Sequence, residues 1–216
     1  MMYRIEKVLN HNTVMAIHQD DHKEVLIMGK GVGFGRKVAE RIEVRPEDRL
    51  YSLQKYKERG GAKEIVKSIA PEFLEVTNAV LDEAEKIFGK IDRMVLFPLA
   101  DHIAFAVKRI QNHEQISNPL TEDIRVLFHM EFKAAESIRP LLQKQFGIDI
   151  EDDEVGYVAL HIHSAIEDEK VSQAMQMARS VRECIIGMNF AYFGKSGKNT
   201  FTVNVSQPPF NVIFGI

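Results

Sequence analysis

The first stretch of the chain sets short β-branched and aliphatic runs between turn formers at hairpin spacing, a pattern that predicts small β-strands. Tyr3–Leu9 is one run, Asn10-His11-Asn12 the first turn, Thr13–Ile17 the second strand, Asp20-Asp21-His22 the second turn and Glu24–Met28 the third strand. A fourth strand is expected to begin at Phe34. About 55 residues of such strands bury little surface by themselves, so dimerisation of this head is a physical expectation. From Gly61 to about Glu183 the apolar positions change to the i, i+3, i+4, i+7 spacing of amphipathic helices. The predicted helices are Pro71–Phe88, with proline at its start, Ile91–Gln111, Thr121–Phe146 capped by Thr121, Asp152–Ile166 opened by the acidic run Glu151–Glu154, and Val171–Cys184 as helix or helical linker. The fold expected is therefore multi-domain, β then α: a small antiparallel β-sheet over residues 1–60, then an all-α five-helix bundle.

The last 30 residues, 187–216, do not continue this text: they hold no acidic residue, five phenylalanines and a short strand-like FTVNV. The whole chain, 216 residues with 45% hydrophobic and 27% charged, is long enough for one or two ordinary domains and excludes disorder as the main state. Its single cysteine, Cys184, makes no internal disulfide, no apolar run reaches the roughly 18 residues of a membrane helix, and MMYRIEKVLN lacks the apolar centre of a signal peptide. A reducing cytoplasm and no membrane role are expected. The net charge of −3 is unevenly spread: +3 over residues 1–60, −8 over 61–186 and +2 over 187–216. Only the head is suited to meet a polyanion.

GKGVGFG (Gly29–Gly35) invites a dinucleotide or phosphate-loop reading, but it has neither GxGxxG opening a helix nor a terminal Gly-Lys-Ser/Thr. Lysine between two glycines with an aromatic close by suits approach to a nucleic-acid backbone, with a ring left to stack on a base. A glycine-rich turn with Phe34 in the core explains the same residues, and residue types do not separate the two.

In the helical body, His102 follows Asp101 in DHIAFAVKR, and His161 and His163 lie in GYVALHIHSAIEDE. With Leu99, Ile103, Ala106 and Ile110 as the buried stripe, His102 lies half exposed on its flank and Arg109 two turns along the same face. With Val155, Ala159, Ile162 and Ile166 turned to the core, His161 and His163 take opposite flanks, because two helical residues are separated by roughly 200°. A helical zinc pair needs i, i+4 spacing, so a metal-dependent hydrolase fits poorly. The ordinary reading is a set of satisfied, half-buried bundle histidines. The chemical reading is that neutral imidazole accepts a phosphoryl group, with Arg109 stabilising the added charge and the new dianion acting as a switch. No serine-histidine-acid set or carboxylate pair competes as a catalytic site.

Four motifs in order, KVLNHNTV (Lys7–Val14), VLIMGKGVGFGRK (Val25–Lys37), LADHIAFAVKR (Leu99–Arg109) and DEVGYVALHIHSA (Asp153–Ala165), resemble the BglG/SacY transcriptional antiterminators, over roughly residues 1–185. The resemblance implies an N-terminal co-antiterminator RNA-binding domain, dimeric and gripping an RNA hairpin, and a regulation domain read by the phosphoenolpyruvate:sugar phosphotransferase system. It implies RNA contacts at Lys7, Asn10, Asn12, Lys30, Gly31 and Phe34, with amides reading base edges, lysines meeting phosphates and the ring stacking. Lys30 stands where relatives also carry arginine, and His11 is expected to be a surface variation. It implies His102 and His161 as phosphoacceptors, with Asp101 and Arg109 as neighbours and His163 ranked below them. The implied partners are the hairpin, a second copy, the histidine-containing phosphocarrier protein and a sugar permease, with no cofactor. The wording is nearest to the glucose-type antiterminators.

Relatives usually carry two regulation domains, and here Gln173–Ile185 reads as the linker and opening of a second one that then breaks off. Loss of that domain by truncation or a frame change, leaving residues 187–216 without a selected fold, is the expectation. A phosphoprotein interaction module whose RNA function has decayed is the alternative class.

Overall fold

The computed structural model of the chain describes residues 1–54, 61–114, 116–167 and 170–193, with side chains as far as Ile186. Five antiparallel strands form one sheet: β1 (Met2–Asn10), β2 (Thr13–His18), β3 (Glu24–Met28), β4 (Arg41–Glu43) and β5 (Arg49–Ser52), in the spatial order β4-β1-β2-β3-β5. The first three strands lie within one residue of the predicted ranges. The fourth does not begin at Phe34. Residues 30–35 form a turn, and the chain returns to the sheet only at Arg41.

Helices follow: α1 (Gly61–Ser68), α2 (Pro71–Phe88), α3 (Leu96–Gln111), α4 (Thr121–Leu127), α5 (His129–Ala135), α6 (Ile138–Phe146), α7 (Asp152–Glu167) and α8 (Val171–Phe193). All five predicted helical stretches are helical, with α1 in addition. The second starts later than the pattern suggested. Pro98 has no N–H to donate and fits only a first turn, so residues 93–95 make a 3-10 turn capped by Asp92, and α3 opens at Leu96. The third stretch is three helices, not one. Phe128 leaves helical dihedrals (φ −117°, ψ 46°) to bury its ring, and Pro140 sits in the first turn of α6, where its missing N–H does no harm. Thr121 is not the cap of α4, since its hydroxyl donates to the Asn118 carbonyl at 2.9 Å or to Asp153 at 2.5 Å. The atypical tail expected from residue 187 opens inside α8, and residues 194–216 lie outside the described residues.

The sheet is buried on both faces, which is why β3 reads VLIM without polar alternation. One face carries Tyr3, Ile5, Val14, Ala16, Val25, Ile27 and, from the edge strand β4, Ile42, and packs with Val32 of the head's own loop. The other face, with Met15, Leu26, Met28, Tyr51 and Leu53, joins the same apolar core as Leu74, Leu81, Phe97, Ile103 and Val158 of the helices. Tyr51 meets Phe97 edge to face at 6.0 Å. Sheet and helices therefore share a core.

Leu26→Ala opens a cavity in that shared core, and a loss of about 2–5 kcal/mol in denaturant unfolding is expected. Because the core is continuous, β3 and α2 amides should reach the same opening free energy in hydrogen exchange. A separate, earlier opening of the sheet would contradict the shared core.

Candidate functional site: a nucleic-acid edge and a histidine cleft

The β1–β2 turn and the glycine-rich loop are stitched together by backbone bonds, with Gly29 N–H donating to the Asn12 carbonyl and Gly33 N–H to the His11 carbonyl, each at 2.9 Å. Side chains complete the joint. The Asn10 amide oxygen accepts from Asn12 N–H, and the Asn12 amide oxygen accepts from Gly31 N–H, each at 2.9 Å. Gly31 has φ +73°, and a Cβ on Gly33 would stand 2.2 Å from the Asn10 carbonyl, so the loop needs glycine for its own geometry. Asn10, Asn12, Lys30, Gly31 and Phe34 thus form one continuous edge. Phe34 is 69% exposed, which rules out the core reading, and its ring meets His11 edge-on at 5.3 Å. Among the described residues nothing accepts from the Asn12 amide nitrogen, while Lys30 is exposed. Lys7 lies exposed on β1 beside a register shift, paired across to Met15.

The edge does not face open solvent on every side. Asn10 donates its amide N–H to Glu75 of α2 at 2.7 Å, a contact across 65 residues of chain that residue types do not reveal.

The second site lies between α3 and α7. A cleft of about 1030 Å³ is lined by Asp101, His102, Phe105, Tyr157, His161 and Ser164, with Asp92, Met94 and Val95 forming another part of the wall. The rings of His102 and His161 are 5.4 Å apart, and Tyr157 is 5.5 Å from His102. Asp101 is exposed at the rim. His163 is on the opposite flank of α7, as the helical spacing predicts: its Nδ1 lies 3.0 Å from Glu131, and its ring packs on Phe128 at 4.3 Å. Among the described residues no group of three or more His, Cys, Asp or Glu is placed to hold a metal ion.

Glu154 is the residue beside this cleft that residue types alone do not single out. It was one of four acids at a helix start, and its signal was hidden there by the helix dipole explanation. Its carboxylate is 1% exposed and lies between Arg109, which donates to Oε1 at 2.5 Å, and His102, whose Nε2 is 3.2 Å from Oε2 but poorly aligned for a hydrogen bond. Burial opposes its charge, yet His102 and Arg109 outweigh burial and hold its pKa below the ordinary carboxylate value. The neighbouring acids have their own partners: Asp152 pairs with Arg125 and Arg139, and Asp153 accepts from Asn118 N–H. Arg109, expected to await a phosphate, is already committed to Glu154 and also lies over the Phe105 ring, 4.8 Å from its centre.

His161 Nδ1 is sealed from solvent with no hydrogen-bond partner among the described residues. Burial, and then the charge of His102, push its pKa down to about 3, so the ring is neutral at pH 7.

Two families match this arrangement in the order of the two sites. The family described as CAT RNA binding domain matches residues 3–60, and that described as PRD domain matches residues 75–165. The chain belongs to the family of proteins that join a CAT RNA-binding domain to a PRD domain. It is similar to the "GlcA/glcB genes antiterminator" of Staphylococcus carnosus (strain TM300), 32% identical over 170 residues, covering 77% of this chain and 58% of that protein. The "Beta-glucoside operon antiterminator" of Dickeya chrysanthemi is 24% identical over 183 residues, covering 84% of this chain and 64% of that one. A solved structure described as "Crystal structure of GlcT CAT-PRDI" superposes with a TM-score of 0.66 at 30% identity, covering 77% of this chain and 99% of that one. The chain spans about three fifths of the length of these curated relatives.

The His161 pKa gives a pH signature. The folded value of about 3 lies below the ordinary 6.5, so between those values the unfolded chain binds a proton that the folded chain refuses. Stability from the neutral ring is complete above pH 6.5 and is lost as pH falls toward 3. His161→Gln should flatten the fall in unfolding free energy between pH 6.5 and 5, as measured by urea titration at each pH. An unchanged slope would mean that His161 titrates normally.

Proposed function

We propose that the chain is an RNA-binding transcriptional antiterminator, not an enzyme: residues 1–60 hold an RNA hairpin, and the helical residues 61–170 regulate that grip through histidine phosphorylation. The observation that carries this reading is the edge on which Asn10, Asn12, Lys30, Gly31 and Phe34 come together with the aromatic ring exposed, in a chain whose head matches a CAT RNA-binding domain. The chemistry suits a hairpin loop. Asn12 offers an amide to base edges, Lys30 and Lys7 offer charge to phosphates, and Phe34 offers a face to an unstacked base. A bound hairpin that excludes a terminator would let polymerase read on into a sugar-uptake operon; relatives are named as antiterminators of the GlcA/glcB genes and of a beta-glucoside operon.

His102 and His161 are the proposed phosphoacceptors, with the phosphotransferase system's histidine-containing phosphocarrier protein or a sugar permease as the source. The cleft supports this by placing both rings on one open wall, and the neutral state of His161 leaves a lone pair for attack on phosphorus. A dianion there would repel Glu154 and compete with it for Arg109, which changes the α3–α7 contact. Asp101 at the rim and His163 on the far flank are supporting residues. Dimerisation through the head and a cytoplasmic place of work complete the proposal; among the described residues no helix is long and apolar enough to cross a membrane.

Gel-shift titration of the full chain against an imperfect RNA hairpin from the leader of its own operon, with the DNA equivalent as control, tests the RNA reading. Binding should weaken steeply with salt, fall by about tenfold or more in Phe34→Ala, the loss expected for one stacked base, and fall also in Asn12→Ala. Equal affinity for the DNA, or no loss in either variant, would refute it. Phosphate transfer from the phosphocarrier protein, read by intact-mass spectrometry at alkaline pH, should drop in His102→Ala or His161→Ala and persist in His163→Ala.

A further inference from the structure

On α2 the residues Glu75, Asn78, Asp82 and Glu85 follow one another at intervals of three, four and three, which puts them on one face of the helix. Every member of that face touches the sheet domain. Glu75 accepts from the Asn10 amide at 2.7 Å, Asn78 accepts from the Tyr51 hydroxyl at 2.7 Å, and Arg49 donates to Asp82 at 3.1 Å and to Glu85 at 3.0 Å. Beside these contacts runs a groove of about 520 Å³. Asn12, Gly29 and Lys30 line one wall, and Glu75, Asn78 and Asp82 line the other.

We propose that this acidic face of α2 is an internal competitor for RNA: Glu75 occupies the amide of Asn10, and the carboxylates across the groove hold phosphates away from Lys30 and Arg49. The proposal rests on the RNA-binding reading above and adds where the regulatory half acts on it. A base edge read by Asn10 has to displace Glu75, and a phosphate drawn to Lys30 or Arg49 enters a groove that already carries negative charge. The docked arrangement is thus a masked state, in which carboxylates take the places that nucleic acid would take.

The mask is held from behind. Arg93, 14% exposed, donates to Asp82 at 2.9 Å and to Asn78 at 2.8 Å, lies 2.8 Å from Glu85 and reaches the Tyr51 hydroxyl at 3.1 Å. It belongs to the 3-10 turn 93–95, whose flanking Asp92 and own Met94 and Val95 wall the histidine cleft, and Asp92 N–H donates to the Ala165 carbonyl of α7 at 2.8 Å. The cleft and the mask therefore lie on two sides of one short turn.

The test is the hairpin titration of the full chain with Glu75→Ala, set beside Glu83→Ala. Glu83 is on α2 and pairs with Lys86 away from the sheet, so its removal makes the same change in net charge without touching the mask. Glu75→Ala should bind the hairpin roughly fivefold or more tightly than the parent chain, within the usual span of intramolecular coupling, while Glu83→Ala stays close to the parent. Glu75→Gln, which keeps the shape and removes the charge, should give a smaller gain in the same direction, and it serves if Glu75→Ala is shown by circular dichroism to be misfolded. Affinity that is unchanged or lower in Glu75→Ala, or an equal gain in Glu83→Ala, overturns the mask while leaving the RNA reading in place. No binding of RNA by the parent or by any folded variant overturns both.

Discussion

A five-stranded sheet with apolar side chains on both faces cannot stand in water until each face is covered, and this requirement organises the rest of the molecule. One face is buried within the head, where Val32 of the glycine loop packs with it. The other is closed by helices, through a core in which Leu26 and Tyr51 of the sheet join Leu74 and Phe97 of the body. Once that face is committed, α2 must run beside the β1–β2 turn, and its polar face must find partners among the head's amides and arginines. The closeness of the nucleic-acid edge to a row of carboxylates is therefore a consequence of how the sheet is buried.

Charge then sets what each site does. In the cleft, a buried carboxylate is tolerable only because Arg109 and His102 flank it. Removing one flank without the other leaves that buried charge undercompensated, which ties Arg109 to Glu154 in the structure. At the seam, Arg93 plays the equivalent part, satisfying Asp82 and Glu85 while touching the sheet through Tyr51. Both sites place an arginine on buried or half-buried carboxylates, and a short turn at the start of α3 adjoins each.

Much of this was legible in the residues, for identifiable reasons. The three longer strands showed because their runs are flanked by asparagine, aspartate and glycine turns, whereas RIE and RLYS, at three and four residues with charged members, carry too little pattern to read as β4 and β5. The helical periodicity of 121–146 persisted through breaks made by one buried phenylalanine and one proline, so three helices read as one. The opposite flanks of His161 and His163 followed from helical geometry alone. The two contacts that give the sites their character did not show: Asn10 with Glu75, and Arg109 with Glu154, join residues 65 and 45 positions apart, and pairing at that distance depends on how the layers dock. The RNA contacts expected at Asn10 and Asn12 rest on resemblance to a family; residue types in the glycine loop leave a nucleic-acid contact and a plain turn with a core Phe34 equally open, and the exposed Phe34 ring removes only the core placement.

In the proposed function, RNA is read at the edge bordered by α2. Chemical-shift mapping of the isotope-labelled full chain during titration with the hairpin tests this most directly. Perturbations should concentrate at residues 10–12 and 29–34 and extend to the amides of α2 from Glu75 to Glu85, which carry no RNA contact of their own in the proposal and report the displaced face. Tight hairpin binding with perturbations confined to other surfaces, and none at the β1–β2 turn or the glycine loop, would contradict it.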